Sequence, residues 1–177
     1  SSPIIFTSNA SSPAPGDWKG IYFTKYGNYG AAGKTVLEHC VVEYGGQTHS
    51  ANLYMSEASP QIRNCRIEYS SGNGISIVGS SNPAIKSSII QHSGSHGIYM
   101  SGSCSPLIGS AGEGNIISNN AGAGIYAADA AGNPTISYNT ISDNGSYAMR
   151  VGGMLNNVGN TILGNGIQAI ELMGEEI

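Results

Sequence analysis

The feature that most constrains this chain is a repeat. Pro60-Gln61-Ile62, Pro83-Ala84-Ile85 and Pro106-Leu107-Ile108 stand 23 residues apart, and Pro134-Thr135-Ile136 follows 28 residues further on. Five residues after Ile62 and Ile85 come Ile67 and Ile90, in a column that continues through Ile117, Ile141 and Ile162 and back to Val42. A third column aligns Ile21-Tyr22-Phe23, Leu53-Tyr54-Met55, Ile75-Ser76-Ile77, Ile98-Tyr99-Met100, Ile125-Tyr126-Ala127, Met149-Arg150-Val151 and Ile170-Glu171-Leu172. Self-similarity at this period marks a solenoid: one unit cannot bury its apolar side alone, and stacking the units builds a continuous narrow core. Within each unit the apolar residues alternate with polar ones, which reads as three short strands. Each Pro opens a strand, where its missing N–H does least harm. The expectation is an all-β stack of about seven coils. At about 4.8 Å per coil it is roughly 30–35 Å tall.

Composition supports order. A chain with 26 Gly and only 10% charged residues could be disordered, but 40% of residues are hydrophobic and recur at fixed intervals. The 177 residues form one domain: a first coil with its own insertion over 1–34, regular coils over 35–173 and a tail over 174–177. Extra residues from Ala111 to Gly114 and from Ala128 to Gly132 read as loops bulging from one side. Seven Lys+Arg and a net charge of −4 are too little basic surface for a nucleic-acid partner. No apolar run is long enough to span a membrane. The chain opens on Ser1 with no signal peptide in view, the start of a mature or excised piece.

Between the first two strands of each coil one inward position reads Cys40, Cys65, Ser88, Asn115, Asn139, Asn160. Small polar residues stacked at a bend suit bonding to the backbone of neighbouring coils. Asn139-Thr140-Ile141-Ser142-Asp143-Asn144 and Asn160-Thr161-Ile162-Leu163-Gly164-Asn165 show the motif nearly unaltered. This pattern, over residues 35 to 173, resembles the right-handed parallel β-helix repeat proteins, the superfamily that includes pectate lyases and related polysaccharide-acting enzymes. The resemblance implies an all-β, single-stranded right-handed parallel β-helix with three short strands per coil. The opening Pro3-Ile4-Ile5-Phe6 and Asp17-Trp18-Lys19-Gly20 segments are similar to first coils of secreted or surface-anchored members. That likeness implies an extracellular or cell-surface setting. Fold alone does not fix function.

The resemblance carries over no catalytic residue. Lyases of the superfamily gather acidic residues around calcium beside an Arg or Lys base, and its hydrolases gather Asp. Here Asp17, Asp129 and Asp143 fall in different coils. The weak catalytic candidates are Glu43 and Glu68, one coil apart, with Arg66 beside them. Such a pair suits acid/base work or a calcium ion, the one cofactor the sequence leaves room for. The bland alternative is a solvated face, with Glu38 and Arg63 as a weak surface pair. No Cys or His spacing indicates a zinc or other metal site.

The sharper candidate is aromatic. The outward column Tyr22, Tyr54, Ser76, Tyr99, Tyr126 places rings about 5 Å apart. Lys19, Asn73, His96 and Tyr147 flank it in the preceding column. Such rings suit sugar binding, or they simply brace the sheet. Cys40 and Cys65 read as buried free thiols, with a disulfide as the alternative, and Cys104 as an exposed loop thiol. Asn9-Ala10-Ser11 and Asn144-Gly145-Ser146 are glycosylation sequons. The sequence therefore points to a non-catalytic carbohydrate-binding or surface-display module. A polysaccharide lyase, hydrolase or epimerase around Glu43 is the first alternative, and a structural spacer or adhesin segment the second. The polysaccharide is the expected partner, and an oligomer or larger parent chain would cover the solenoid ends.

Overall fold

The computed structural model describes residues 2–27, 35–128, 132–152, 156–167 and 169–173. Asp129, most of the insertion ending at Lys34, most of the loop from Ala128 to Gly132 and the tail after residue 173 lie outside them. Three parallel sheets wrap one core. The first holds seven strands: Ile4–Phe6, Cys40–Glu43, Arg66–Glu68, Ile89–Gln91, Ile116–Ser118, Thr140–Ser142 and Thr161–Leu163. The second also holds seven: Ile21–Thr24, Ala51–Ser56, Asn73–Val78, Ile98–Ser101, Ile125–Ala127, Met149–Gly152 and Ile170–Met173. The third holds six, from Val36–Glu38 through Gln61–Arg63, Ala84–Lys86, Leu107–Ile108 and Thr135–Ser137 to Asn156–Val158. Each coil runs from third sheet to first to second, so every strand pairs with the one a full turn away. This is a right-handed parallel β-helix, the hand that crossovers between parallel strands of a sheet adopt. The only helical turn among the described residues is Lys25–Gly27. None of these residues forms a helix long and apolar enough to cross a membrane.

Register places like on like. Ile62 pairs Ile85, Ile67 pairs Ile90, and Ile75 pairs Ile98. The inward columns Ile62-Ile85-Ile108-Ile136, Val42-Ile67-Ile90-Ile117-Ile141 and Leu53-Ile75-Ile98-Ile125-Met149 are fully buried. Stiff β-branched side chains stack well on a pleated surface. A slip of one residue would turn every one of them outward.

Tight corners separate the sheets. His39, Asn64, Ser87 and Tyr138 turn the chain from third to first sheet at φ between 47° and 58°. Tyr44, Tyr69, His92, Asn119 and Asp143 do so after the first sheet, at φ between 53° and 60°. The left-handed conformation costs a bulky residue about 1–2 kcal/mol. Stacking offsets part of that cost: the rings of Tyr44 and Tyr69 lie 5.3 Å apart and those of Tyr69 and His92 5.2 Å, nearly parallel.

Two polar ladders run beside these corners. In the first, the Cys65 N–H donates to Ser88 Oγ (3.1 Å), the Ser88 N–H to Asn115 Oδ1 (3.0 Å), the Asn115 N–H to Asn139 Oδ1 (3.0 Å) and the Asn139 N–H to Asn160 Oδ1 (2.8 Å). Each amide Nδ2 also donates to a carbonyl of the preceding coil, as Asn139 does to Ile108 (2.9 Å). The second ladder sits five residues later: the Ser93 N–H donates to Asn120 Oδ1, the Asn120 N–H to Asn144 Oδ1 and the Asn144 N–H to Asn165 Oδ1, each at 3.1 Å. Asn144 is thereby buried, so the sequon it heads is closed to modification in the folded chain.

The thiols are free and buried. Cys40 donates to the Glu38 carbonyl (3.2 Å) and Cys65 to that of Arg63 (3.2 Å), and burial pushes the Cys65 thiol up to about 11. Cys104, expected as an exposed loop thiol, is fully buried: its loop folds inward and packs the sulfur into the core cluster. The end of the segment joining the first two strands is tied to the second coil, the Gly16 N–H donating to the carbonyls of Tyr44 and Gly45 (3.1 Å each).

The amides of the second ladder end at Asn120, with Ser93 and Ser70 at the same position in the coils before it, and among the described residues the Ser93 hydroxyl has no hydrogen-bond partner. Where Asn120 and Asn144 stand, the facing residues are Gly97 and Gly124, and a Cβ there would meet the amide nitrogen at 2.8 and 2.9 Å. The residue facing Ser93 is already Gly74. Ser93→Asn should therefore extend the ladder by one rung, with its amide reaching the Ile67 carbonyl, and raise stability by about 1 kcal/mol. In thermal unfolding that is a Tm rise of about 2–4 °C. Asn120→Ala should act in the opposite sense, by about 2–3 kcal/mol, because it orphans the Ser93 N–H and the Ile90 carbonyl in the interior.

Candidate functional site

The outer face of the second sheet concentrates the chemistry. Strand register aligns Tyr22, Tyr54, Ser76, Tyr99, Tyr126, Arg150 and Glu171 in one column, alternating with buried neighbours on each strand. The rings do not form one continuous row. They form two Tyr–His–Tyr clusters separated by Ser76. In the first, His49 lies 4.4 Å from the ring of Tyr22 and 4.2 Å from that of Tyr54. In the second, His96 lies 4.6 Å from Tyr126 and 6.3 Å from Tyr99, whose own rings are 5.8 Å apart and tilted by only 8°. Within each cluster the ring faces turned toward one another are covered by the partner ring and the imidazole.

The second cluster is fixed by polar bonds. The Ala123 N–H donates to His96 Nδ1 (3.0 Å), so the neutral ring carries its proton on Nε2 and offers a donor outward. Burial, reinforced by the nearby Arg150 charge, holds His96 below the ordinary histidine range. Asn73 accepts from the His96 N–H (3.1 Å) and donates to Ser76 Oγ (3.1 Å). Arg150 Nη1 donates to the Tyr126 hydroxyl (3.1 Å), and its guanidinium lies 5.3 Å over the Tyr126 ring and 6.0 Å from that of Tyr147. The Glu171 carboxylate engages the Arg150 Nε. The His96 Nε2–H and the tyrosine hydroxyls can donate to the oxygens of a ligand on this face. A tautomer pinned in this way makes His96 a hydrogen-bond donor rather than a base.

Glu43, Glu68 and Arg66 also come together, on the outer face of the first sheet. Glu68 is 5% exposed; its carboxylate accepts from Arg66 Nε (2.9 Å) and Gln91 Nε2 (2.8 Å). Glu43 accepts from the Thr7 hydroxyl (2.9 Å). Burial, then the charges of Glu43, Tyr69 and Glu68, push the Tyr44 phenol up. The two carboxylates lie side by side along one face. A recess of about 380 Å³ nearby is lined by Pro3, His39, Asn64, Arg66 and Ile89, without either acid. This arrangement braces the sheet; acid/base chemistry on a glycosidic bond needs carboxyls on opposite sides of the sugar. On the third sheet, Arg63 pairs with Glu38 (2.9 Å) and Lys86 with Glu113 (2.6 Å).

Sequence reasoning missed His49, which stands five residues before Tyr54 where His96 stands three before Tyr99. Unequal spacing hides their common role, because His49 reaches its cluster from a turn. Glu113 was hidden for the same reason, since an insertion brings it to Lys86. Among the described residues, no three His, Cys, Asp or Glu converge to hold a metal ion.

A family model described as the right-handed beta helix region matches residues 16–176, and the chain belongs to that family. Among curated proteins and among solved structures, nothing matches it.

Folding lowers the proton affinity of His96, so the unfolded chain binds more protons there. Stability from the neutral imidazole is therefore present above pH 6.5 and lost as pH falls below it. Urea unfolding between pH 7 and 5 should show this slope, and His96→Gln, which can still accept from Ala123, should flatten it.

Proposed function

We propose that this right-handed β-helix is an extracellular or cell-surface, non-catalytic module that binds carbohydrate, its site being the outer face of the second sheet. The carrying observation is the pair of Tyr–His–Tyr clusters on a rigid, fully paired sheet, with outward donors from His96 and Arg150. Phenol rings offer apolar surface to the C–H faces of a sugar and hydroxyls to its oxygens. A rigid platform limits the ordering cost of binding. The engagement of Glu43 and Glu68 by Thr7, Arg66 and Gln91 weighs against a lyase or hydrolase built on them. In the spacer or adhesin alternative the rings only brace the sheet.

A glycan array, read with and without calcium, should give a specific hit. Tyr99→Ala with Tyr126→Ala should weaken it at least tenfold, a loss of about 1.4 kcal/mol. Undiminished binding by the double variant would move the site elsewhere. A blank array would favour the spacer, and a polymer shortened during incubation would favour an enzyme.

A further inference from the structure

The recess of about 380 Å³ lies at the bend between the third and first sheets, apart from the aromatic face. One bank is the corner column His39, Asn64 and Ser87. The other is the outward column Val41, Arg66 and Ile89, which follows the corner in each coil. The recess has the volume of a small-molecule site, which is roughly 300–1,000 Å³. Val41 and Ile89 give it an apolar wall. Arg66 stands between them, the one charge in an outward column that otherwise reads Ile5, Val41, Ile89 and Ile116 over the first five strands of the sheet. No acid lines the recess.

The Arg66 guanidinium is held at one edge only. Its Nε lies 2.9 Å from the Glu68 carboxylate, which is 5% exposed and also accepts from Gln91 Nε2 (2.8 Å). A buried carboxylate that is itself fixed from a second side pins the arginine in place. Among the described residues, neither Nη of Arg66 has a hydrogen-bond or ion-pair partner. The other acids nearby are engaged elsewhere, Glu38 by Arg63 (2.9 Å) and Glu43 by Thr7 (2.9 Å). We infer that this recess is a binding site for a small organic carboxylate with an apolar body. The carboxylate sits on the two Nη groups of Arg66, and the body lies against Val41 and Ile89. The planar fork of an arginine matches a carboxylate with two parallel hydrogen bonds. The Ser87 hydroxyl and the His39 ring, on the facing bank, supply further donors. An arginine already oriented by Glu68 loses little freedom when the ligand arrives, which lowers the cost of binding. The site stands independently of the carbohydrate reading.

The test is titration of the isotope-labelled chain with benzoate, benzamide and inorganic sulfate, followed by backbone amide NMR shifts. Benzoate should give saturable shifts centred on His39 to Val41, Asn64 to Arg66 and Ser87 to Ile89, and added salt should weaken them. Benzamide, which has the same body without the charge, should bind roughly tenfold more weakly or worse. Arg66→Lys keeps a cation beside Glu68 but lacks the fork, and should weaken benzoate by a similar factor. Ile89→Glu leaves the Arg66–Glu68 pair intact and sets a carboxylate beside Arg66 in register, so the chain supplies its own ligand. That variant should unfold at the wild-type temperature or above and also bind benzoate roughly tenfold more weakly or worse. Equal binding of benzamide would make the recess an apolar slot and overturn the carboxylate. Sulfate bound as tightly as benzoate would show that a bare oxyanion suffices and overturn the apolar body. Benzoate binding unchanged in either folded variant, shifts confined to the aromatic face, or no binding by any probe would overturn the site itself.

Discussion

In-register stacking of identical positions is the constraint from which the rest of this molecule follows. A parallel coil contributes one strand to each of three sheets, and its backbone groups find partners only in the coils above and below. The interior is narrow, so each inward side chain rests on its counterpart from the next coil. Ile on Ile fills that space and is fully buried. At the bends, where ladder bonds stop, asparagine takes over: its Oδ1 accepts from the N–H of the same column one coil back and its Nδ2 donates to a carbonyl of that coil, so a single side chain satisfies two backbone groups of its neighbour. Corner residues in the left-handed conformation follow from the same demand, since a turn this tight between parallel strands needs positive φ.

The same rule governs the surface. Outward residues also stack on their counterparts, which turns a column of tyrosines into a column of rings and a column of charges into ion pairs. Whether such a column binds anything depends on what its neighbours leave uncovered. In the two Tyr–His–Tyr clusters the imidazoles occupy the inner faces, so free aromatic surface is confined to a few places. The acidic column behaves differently because Arg66 and Gln91 flank Glu68 closely enough to satisfy it. Similar one-coil spacings thus yield a braced carboxylate on one sheet and an exposed aromatic face on another.

The departures from regularity are informative. Ser93 stands where the run of amides ends, without any change in the surrounding glycine, and its hydroxyl is left without a partner among the described residues. Ser76 interrupts the rings. The first lies in the interior, where its cost falls on stability. The second lies on the face, where it alters what the surface can hold.

By itself the sequence determined the coil period, the three strands per coil, the inward Ile columns and the first polar ladder, because each depends on spacing along the chain and a period of two within a strand. The aromatic column was legible for the same reason. The second ladder was visible in the five-residue interval from Asn139 to Asn144 yet carried no distinguishing residue type in the earlier coils, where serine stands instead. Tertiary structure alone decided the rest. It decided that Cys104 packs inward from its loop, that Asn144 is buried, that His49 reaches its cluster from a turn and that Arg150 covers Tyr126. These depend on how loops and long side chains cross between coils, and a linear period carries no information about residues that reach their neighbours from outside the repeat.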